Sequence, residues 1–467
     1  MTDALDTALG DLVGDLERHF PYAAALLTGA SGVQISDNGA EQSASEVSPS
    51  RGVVFTVYDG AAFQEYATSD LDPDQLARAV RAWAGMLTPR AGPPLATSPA
   101  AGEANGAPAL LHKDFRVTAE LDPAAVPLKD KLTHLRDLQQ RAKAFDSRIV
   151  QAQVRYADTT EDKLYIGRGR HLRQQVIRSS FFILMVVSDG TTTRFHAWIG
   201  GGTKGFEIAR LSEDDLRQTG ETALRLLEAG KIEPGEYDVV ADPSISGVIA
   251  HESFGHGVEL DLFPKGRALS AHYLNQQVAA PSINMFDDPS IPGGYGSYFF
   301  DDEGELARPT QILRDGVFVL PISDLGSATF APGVRTPNGR RQDFSRKTYA
   351  RMTNTFFSPG TTPPAEIIAG VERGVYLRFA ESGMEDPMGW GIQLTAHYGE
   401  EIRDGALTGK LYAPVGITGY VPDVLKSVTA VGSDFELVGG ATCGKGHKEL
   451  VPVSSGGPHL RLKARLG

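Results

Sequence analysis

Hydrophobic residues near the start of the chain recur at steps of three and four, the spacing that lines one face of an α-helix. The residues with this spacing are Leu5, Leu9, Leu12, Val13, Leu16 and Phe20. Hydrophobic runs at 33–36 and 53–58 predict two strands, and Asp59-Gly60 after the second favours a hairpin turn. Asp72-Pro73, a cap residue followed by proline, predicts the start of a second helix. The predicted order is helix, strand, strand, helix.

In the middle of the chain, a stretch rich in helix- and strand-breaking residues is followed by predicted helices and strands. Residues 88–109 are rich in Pro, Gly and Ala and predict a surface loop. A third helix is predicted at 132–145, and a fourth begins after Ser212, whose spacing to Asp215 is a capping pattern. Short connections between the intervening strands predict antiparallel pairing. These strands are predicted at 149–156, 163–166, 174–187 and 191–199.

The pattern changes after a short predicted strand at 237–241, so we place a domain boundary near Glu236. Residues 1–236 are predicted to form an N-terminal α/β domain of antiparallel strands and helices. Beyond Leu260 short strands, glycines and prolines dominate, which predicts that residues 237–467 form a β-rich domain of curved antiparallel sheet. The fold class predicted for the whole chain is α+β.

Composition excludes several kinds of partner. The 467 residues carry a net charge of −13 without an evident Lys/Arg cluster, so direct binding to nucleic acid is not expected. The acidic N-terminus lacks the features of a secretory signal, and the hydrophobic run 181–187 is far shorter than the roughly 20 residues that span a bilayer. We therefore expect a cytoplasmic protein with no membrane span.

The chemistry of the sequence is concentrated in one motif and one distant residue. Residues 251–256 spell H-E-x-x-x-H, with His251, Glu252 and His256 at its defined positions, and the single cysteine of the chain is Cys443. With one cysteine no internal disulfide can form, so Cys443 is a small buried residue, a reactive thiol or a metal ligand. Two imidazoles and a thiolate suit zinc and leave a fourth position for water. Two histidines bonded to backbone in a core helix are the alternative that needs no metal.

The five-residue spacing of the histidines constrains the backbone between them. Five residues turn a regular helix by about 500°, which would set the two imidazoles about 140° apart. They can share one ion if the helix bulges or ends between them, and Gly255 and Gly257 supply the required flexibility. We therefore predict a distorted helix at 254–257, at the start of the β-rich domain.

The segment 251–261 resembles the H-E-x-x-G-H-x-x-E-x-D signature of the TldD/PmbA family of metalloproteases, often labelled modulators of DNA gyrase. The resemblance covers the back half of the chain well and the front half by layout. It is closer to the TldD type, because the PmbA/TldE type lacks the metal motif. Further similar segments are Gly-Ser at 296–297, Asp-Asp-Glu-Gly at 301–304, Arg-Met-Thr-Asn-Thr at 351–355 and Gly-Gly-Ala-Thr-Cys-Gly-Lys at 439–445.

This resemblance implies roles for individual residues. His251, His256 and Cys443 would be the zinc ligands and Glu252 the catalytic glutamate, which takes a proton from the attacking water. The family is taken to act on peptides and poorly structured proteins, including leader peptides of modified peptide natural products. A TldD-like chain commonly pairs with a TldE-like one, so we expect a dimer.

Other polar residues have open roles. Glu259 is either a further metal ligand or a carboxylate that orients an imidazole, and we favour the second because Cys443 fits both the resemblance and zinc. His447, Arg351 and Tyr349 are candidates for a second donor to the oxyanion or for contacts with substrate, and each has an ordinary structural alternative.

Three functional hypotheses therefore compete. A zinc peptidase needs an open coordination position, whereas a noncatalytic zinc-bound subunit of a TldD/TldE-like complex would have a closed site with four ligands. A regulatory binding protein is the third hypothesis. Iron and manganese are alternatives to zinc, because the preference of the donors competes with the supply of each metal.

Overall fold

The computed structural model describes residues 3–47, 50–91, 95, 111–330 and 335–467. The predicted surface loop at 88–109 lies outside the described residues apart from 88–91 and Leu95. The helices of the described part are α1 (Asp3–Glu17), α2 (Pro73–Ala84), α3 (Leu128–Ala144), α4 (Glu213–Arg225), α5 (Pro243–Phe254), α6 (Leu325–Phe330), α7 (Pro364–Ala369) and α8 (Val421–Lys426). Each of them is too short or too polar to cross a lipid bilayer.

The strands fall into two groups along the chain. Those of the first half are β1 (Tyr22–Asp37), β2 (Gln42–Glu46), β3 (Ser50–Tyr58), β4 (Phe63–Thr68), β5 (Leu111–Arg116), β6 (Ile149–Gly167), β7 (Arg170–Ser188) and β8 (Thr193–Gly202). Those of the second half are β9 (Gly235–Ala241), β10 (Met285–Asp287), β11 (Thr310–Arg314), β12 (Val317–Phe318), β13 (Gly339–Arg340), β14 (Tyr349–Ala350), β15 (Asn354–Phe357), β16 (Arg373–Asp386), β17 (Gly391–Arg403), β18 (Ala406–Tyr412), β19 (Val415–Tyr420), β20 (Ala430–Val431), β21 (Glu436–Lys445), β22 (Glu449–Gly457) and β23 (Leu460–Leu466).

The first half is built on an eight-stranded sheet in the order β4-β3-β1-β6-β7-β5, with β2 paired to β1 and β8 to β7. Its pairings are antiparallel except for β5 on β7. Alternate residues of β1 point to opposite faces. Ala23, Ala25 and Leu27 pack against α1 and α2, whereas Ala24 and Leu26 pack against Phe300 and Leu325 of the second half. The sheet therefore lies between helices and the second half of the chain.

The prediction of two separate strands at 149–156 and 163–166 is wrong, because β6 runs through both without interruption. The polar residues between them looked like a break in the sequence. In the fold they are paired: Asp158 accepts from the buried Lys131 at 2.8 Å, and Glu161 accepts from Arg178 at 2.8 Å. Buried charges are tolerated when each has such a partner. The predicted order for the first 84 residues was also incomplete, since β2 and β4 were missed.

The second half contains a closed ring and a second sheet. Strands β9, β16, β17, β19 and β23 pair in a cycle, because β16 bonds to both β9 and β17. The second sheet has the order β12-β11-β10-β15-β22-β21. Helix α5 lies between the two and contacts β16 of the ring and β15, β21 and β22 of the sheet. The fold is thus the α+β, largely antiparallel architecture expected, while the domain boundary near Glu236 stays a prediction.

Glycines bring the two halves into close backbone contact beside β21. A Cβ atom at Gly201 of β8 would lie 2.3 Å from the backbone N of Gly440, and one at Gly439 would lie 2.4 Å from the carbonyl O of Gly201. Gly439 and Gly440 occupy an irregularity in the pairing of β21 with β22, and Gly440 has a φ of +97° that favours glycine. This contact fixes the path of β21 toward Cys443.

Replacing Gly201 with alanine should therefore destabilise the protein by about 1–3 kcal/mol, because the added methyl group has no space against the β21 backbone. The free energy of unfolding measured with denaturant tests this. Gly230→Ala is the matched control, since Gly230 is exposed and has open space at its Cβ position. Equal stability of the two variants would contradict the proposed contact.

Candidate metal centre

Helix α5 presents the first histidine. Asp242 caps its N-terminus, with Oδ1 accepting from the N–H of Ile245 at 2.9 Å, and Pro243 occupies the first turn. The α-helix ends at Phe254, and the chain continues as a 3₁₀ turn over His256–Val258. The helix thus ends between His251 and His256, where their spacing requires a change of backbone. The two imidazole rings are perpendicular, with centroids 5.2 Å apart.

The residue at the helix end must be small. A Cβ atom at Gly255 would lie 2.0 Å from the sulfur of Met352 and 2.2 Å from the carbonyl O of His251. Met352 is fully buried in the core of the second half, so it has little room to withdraw. Glycine at 255 therefore allows the chain to turn here and bring His256 back toward His251.

Cys443 reaches the two histidines from β21. One ligand atom each of His251, His256 and Cys443 lies within 4.8 Å of the other two, and Cys443 Sγ is 3.4 Å from His256 Nε2. Cys443 and His251 are buried, and His256 is partly exposed. The three predicted ligands, which come from two distant parts of the sequence, therefore form one cluster.

The neighbouring imidazoles favour the thiolate form of Cys443. Burial is the largest influence on Cys443 and raises its pKa, but the imidazoles of His256 and His251 lower the pKa well below its ordinary value. The sulfur is thus set to be a thiolate, the form of cysteine that binds metal. The buried Nδ1 of His251 has no hydrogen-bond partner among the described residues. Two imidazoles and a thiolate are ligands that suit zinc, and a buried ring nitrogen without a hydrogen-bond partner is consistent with a metal ligand.

Glu252 follows His251 on α5 and lies against β16. A Cβ atom at Gly383 of β16 would lie 2.4 Å from Cγ of Glu252, so glycine there makes room for this side chain. Glu252 is partly exposed. Within the described residues its carboxylate makes no hydrogen bond or ion pair.

Glu259 lies behind His256. Its Oε2 is 3.6 Å from His256 Nδ1 and 2.9 Å from Nζ of Lys445, which also donates to Asp261 at 2.7 Å. Burial alone would raise the pKa of Glu259. The nearby Lys445 and His256 outweigh this effect and lower the pKa to about 2. The carboxylate is therefore ionised. It lies at the Nδ1 edge of the His256 ring, whereas Cys443 lies at the Nε2 edge, and this position supports an orienting role over direct ligation.

The other candidates occupy different positions. Arg351 is fully buried, and its guanidinium donates to the carbonyl O of Cys443 at 2.6 Å and of Glu449 at 3.3 Å. It thus supports the β21–β22 hairpin, and a contact with substrate stays a prediction. His447 lies exposed in the turn of that hairpin. The ring of Tyr349 lies 5.6 Å from Nζ of Lys445, at the edge of a cleft.

Two residues near the centre were missed by reasoning from the sequence. Lys445 stood in the quoted segment at 439–445, but its pairing with Glu259 and Asp261 joins residues far apart in the sequence and had no local signal. Glu385 of β16 carried no sequence signal. Its Oε2 accepts from the N–H of Gly257 at 2.9 Å.

Comparison with known proteins defines the class. The PmbA/TldA metallopeptidase central domain matches residues 121–230, and the C-terminal domain of the same group matches 234–465. A metalloprotease of Methanothermobacter thermautotrophicus is 34% identical over 74% of this chain and 76% of its own. A zinc metalloprotease TldD homolog of Saccharolobus solfataricus is 24% identical over 72% of this chain and 75% of its own.

Solved structures share the whole fold at low identity. A Thermotoga maritima protein described as a modulator of DNA gyrase aligns with a TM-score of 0.77 at 17% identity, covering 99% of both chains. TldE of Thermococcus kodakarensis aligns with a TM-score of 0.72 at 16% identity, covering 98% of this chain and 100% of its own. The fold and relatives therefore define a chain of the metallopeptidase class. It belongs to the TldD/PmbA family.

The ligand assignment predicts opposite effects for two substitutions. Cys443→Ala should remove bound zinc, because it deletes one of three converging donor atoms. Glu259→Ala should still bind one zinc per chain at saturation, with affinity lowered by about 10–100-fold through loss of orientation. Metal analysis after gel filtration, with chelator competition for affinity, measures both. Zinc retained without the thiol and lost without the carboxylate would reverse the assignment.

Proposed function

We propose that this protein is a zinc-dependent peptidase that hydrolyses peptides or unfolded protein segments. The observation that carries the proposal is the convergence of His251, His256 and Cys443 within 4.8 Å, with Glu252 beside the first ligand. A relative that bears the description zinc metalloprotease supports the choice of metal.

Each residue of the centre would have a separate task. Zinc held there would lower the pKa of a bound water and polarise the peptide carbonyl. Glu252 would accept the proton of the attacking water and pass it to the leaving amine. His251, His256 and Cys443 would hold the metal, and Glu259 with Lys445 would keep the imidazole of His256 in position.

The number of donors favours catalysis over a structural zinc site. Structural zinc sites have four protein ligands, whereas catalytic sites have three and an open position. In the described part of the chain the cluster contains three donor residues. The noncatalytic zinc-bound subunit and the regulatory binding protein remain the alternatives, and an inactive protein with bound zinc would support them.

A cleft between the two halves of the chain suggests how a peptide would bind. It encloses about 760 Å³ between β4 and the second half of the chain, and Asp261, the partner of Lys445, lines it. Strand β4 is the edge of its sheet and pairs with β3 alone among the described strands. An extended peptide could add to this edge through its backbone, a mode that tolerates varied sequences. Leader peptides of modified peptides are substrates of this kind.

The proposed partner is a TldE-like chain. TldE of Thermococcus kodakarensis has the same fold as this chain, and the two halves of such a complex would be similar in shape. Enzyme assays therefore need the protein alone and combined with a TldE-like chain, since an incomplete assembly could lack activity for reasons unrelated to the metal centre.

Glu252→Gln should lower kcat for peptide cleavage by about 10²–10⁴-fold while bound zinc is unchanged, because the amide cannot accept the proton of the attacking water. Peptide hydrolysis and metal content are measured on the same preparation. Glu366→Gln, an exposed glutamate of α7, is the control. Cleavage that persists in the Glu252 variant would exclude this residue as the base.

Phe330→Ala should raise KM for peptides with large hydrophobic side chains with little change in kcat. Phe330 is 56% exposed, lines the cleft and packs near Tyr58 and Phe63 of the β4 side. Steady-state kinetics on a peptide series measures this. Met86→Ala, at an exposed position outside the residues that line the cleft, is the control, and identical kinetics of both variants would exclude the cleft as the binding site.

A further inference from the structure

The 3₁₀ turn that carries His256 is weakly held by its own hydrogen bonds. Val258 N donates to the carbonyl O of Gly255 at 3.4 Å, and Glu259 N donates to that of His256 at 3.3 Å. Both distances are longer than the usual 2.7–3.2 Å of N–H···O bonds, roughly the range in which such bonds are strong. The position of His256 therefore depends on contacts from other parts of the fold.

Two side chains from other parts of the chain hold the peptide groups of Gly257. Glu385 Oε2 accepts from its N–H at 2.9 Å, a shorter bond than either bond of the turn. The hydroxyl of Ser270 donates to the carbonyl O of Gly257. The turn is thus held on both sides immediately after His256.

Close approach of Glu385 depends on glycine at 257. A Cβ atom there would lie 2.3 Å from Glu385 Oε1, so a larger residue would displace the carboxylate. Oε1 itself is buried and has no partner among the described residues. Glu385 is also outside the cluster of atoms that could bind the metal directly.

Glu385 lies near the end of strand β16. The strand is paired on both sides, to β9 and β17, although only β17 pairs with the end that carries Glu385. An irregularity between Ala380 and Ser382 shifts its register, and beyond it Gly383 faces Glu252 while Glu385 faces Gly257. Two residues apart on a strand share one face. The same stretch of β16 therefore supports both the proposed base and the second histidine.

We propose that Glu385 is a positioning residue of the metal centre: its carboxyl oxygen holds the N–H of Gly257 and thereby fixes the turn that directs His256 toward the metal. This inference rests on the proposed zinc site and adds a residue to it. Partners of this kind change metal affinity by about 10–100-fold when they are removed.

The decisive comparison is between Glu385→Gln and Glu385→Asp. Glutamine keeps a carbonyl oxygen at the same reach and should bind zinc within about threefold of the unchanged protein. Aspartate keeps the carboxyl group but is one methylene shorter, so it should lose the bond to Gly257 and bind zinc at least about tenfold more weakly, as should Glu385→Ala. Chelator competition measures affinity, and the visible spectrum of the cobalt-substituted protein reports the geometry of the site. Met384→Ala, on the adjacent exposed position of β16, is the control.

The outcomes separate this inference from the proposed function. Weak binding by the Asp and Ala variants with an altered cobalt spectrum, and normal binding by the Gln variant, would support it. Equal affinity in all variants, or loss in the Gln variant with retention in the Asp variant, would overturn it while leaving the zinc site intact. Failure of the unchanged protein to bind zinc would instead overturn the proposed function and this inference with it.

Discussion

The end of α5 between His251 and His256 is the constraint on which the candidate metal centre depends. A continuous α-helix would direct these imidazoles to different sides, since five residues rotate the chain by about 140° beyond a full turn. The change to a 3₁₀ turn after Phe254 brings their ring centroids to 5.2 Å. Gly255 permits this change because Met352 and the backbone of His251 leave no space for a Cβ atom. Without it, Cys443 would meet one histidine instead of two.

In the second half, three structural elements meet around that helix end. The closed ring supplies β16, the second sheet supplies β21 with Cys443, and α5 lies between them. The glycines at 201, 439 and 440 allow the backbone of β8 to contact the backbone of β21. The first half of the chain therefore also influences the position of Cys443. A site assembled from such distant segments is sensitive to packing far from the metal, because protein interiors transmit small displacements.

The sequence was most informative where local chemistry decides the structure. The cap at Asp72, the hairpin at Asp59-Gly60 and the ligand candidates His251, His256 and Cys443 could be read directly, and the structure brings the three candidates together. Ion pairs between residues far apart in the sequence could not be predicted. The polar centre of β6 looked like a loop because Lys131 and Arg178, which satisfy Asp158 and Glu161, lie elsewhere in the chain. Glu385 was missed because its contact with Gly257 depends on how β16 packs against α5.

Three glutamates lie near the histidine pair, and each has different surroundings. Glu259 is held by Lys445, which keeps its carboxylate ionised beside His256. Glu385 is held by a backbone N–H, and burial raises its pKa well above the ordinary value despite His256 and Gly257, so it suits a fixed hydrogen bond better than proton exchange. Glu252 is partly exposed and free of partners in the described structure. Glu252 is thus the least constrained of the three carboxylates, and its proposed role as the base rests on this difference.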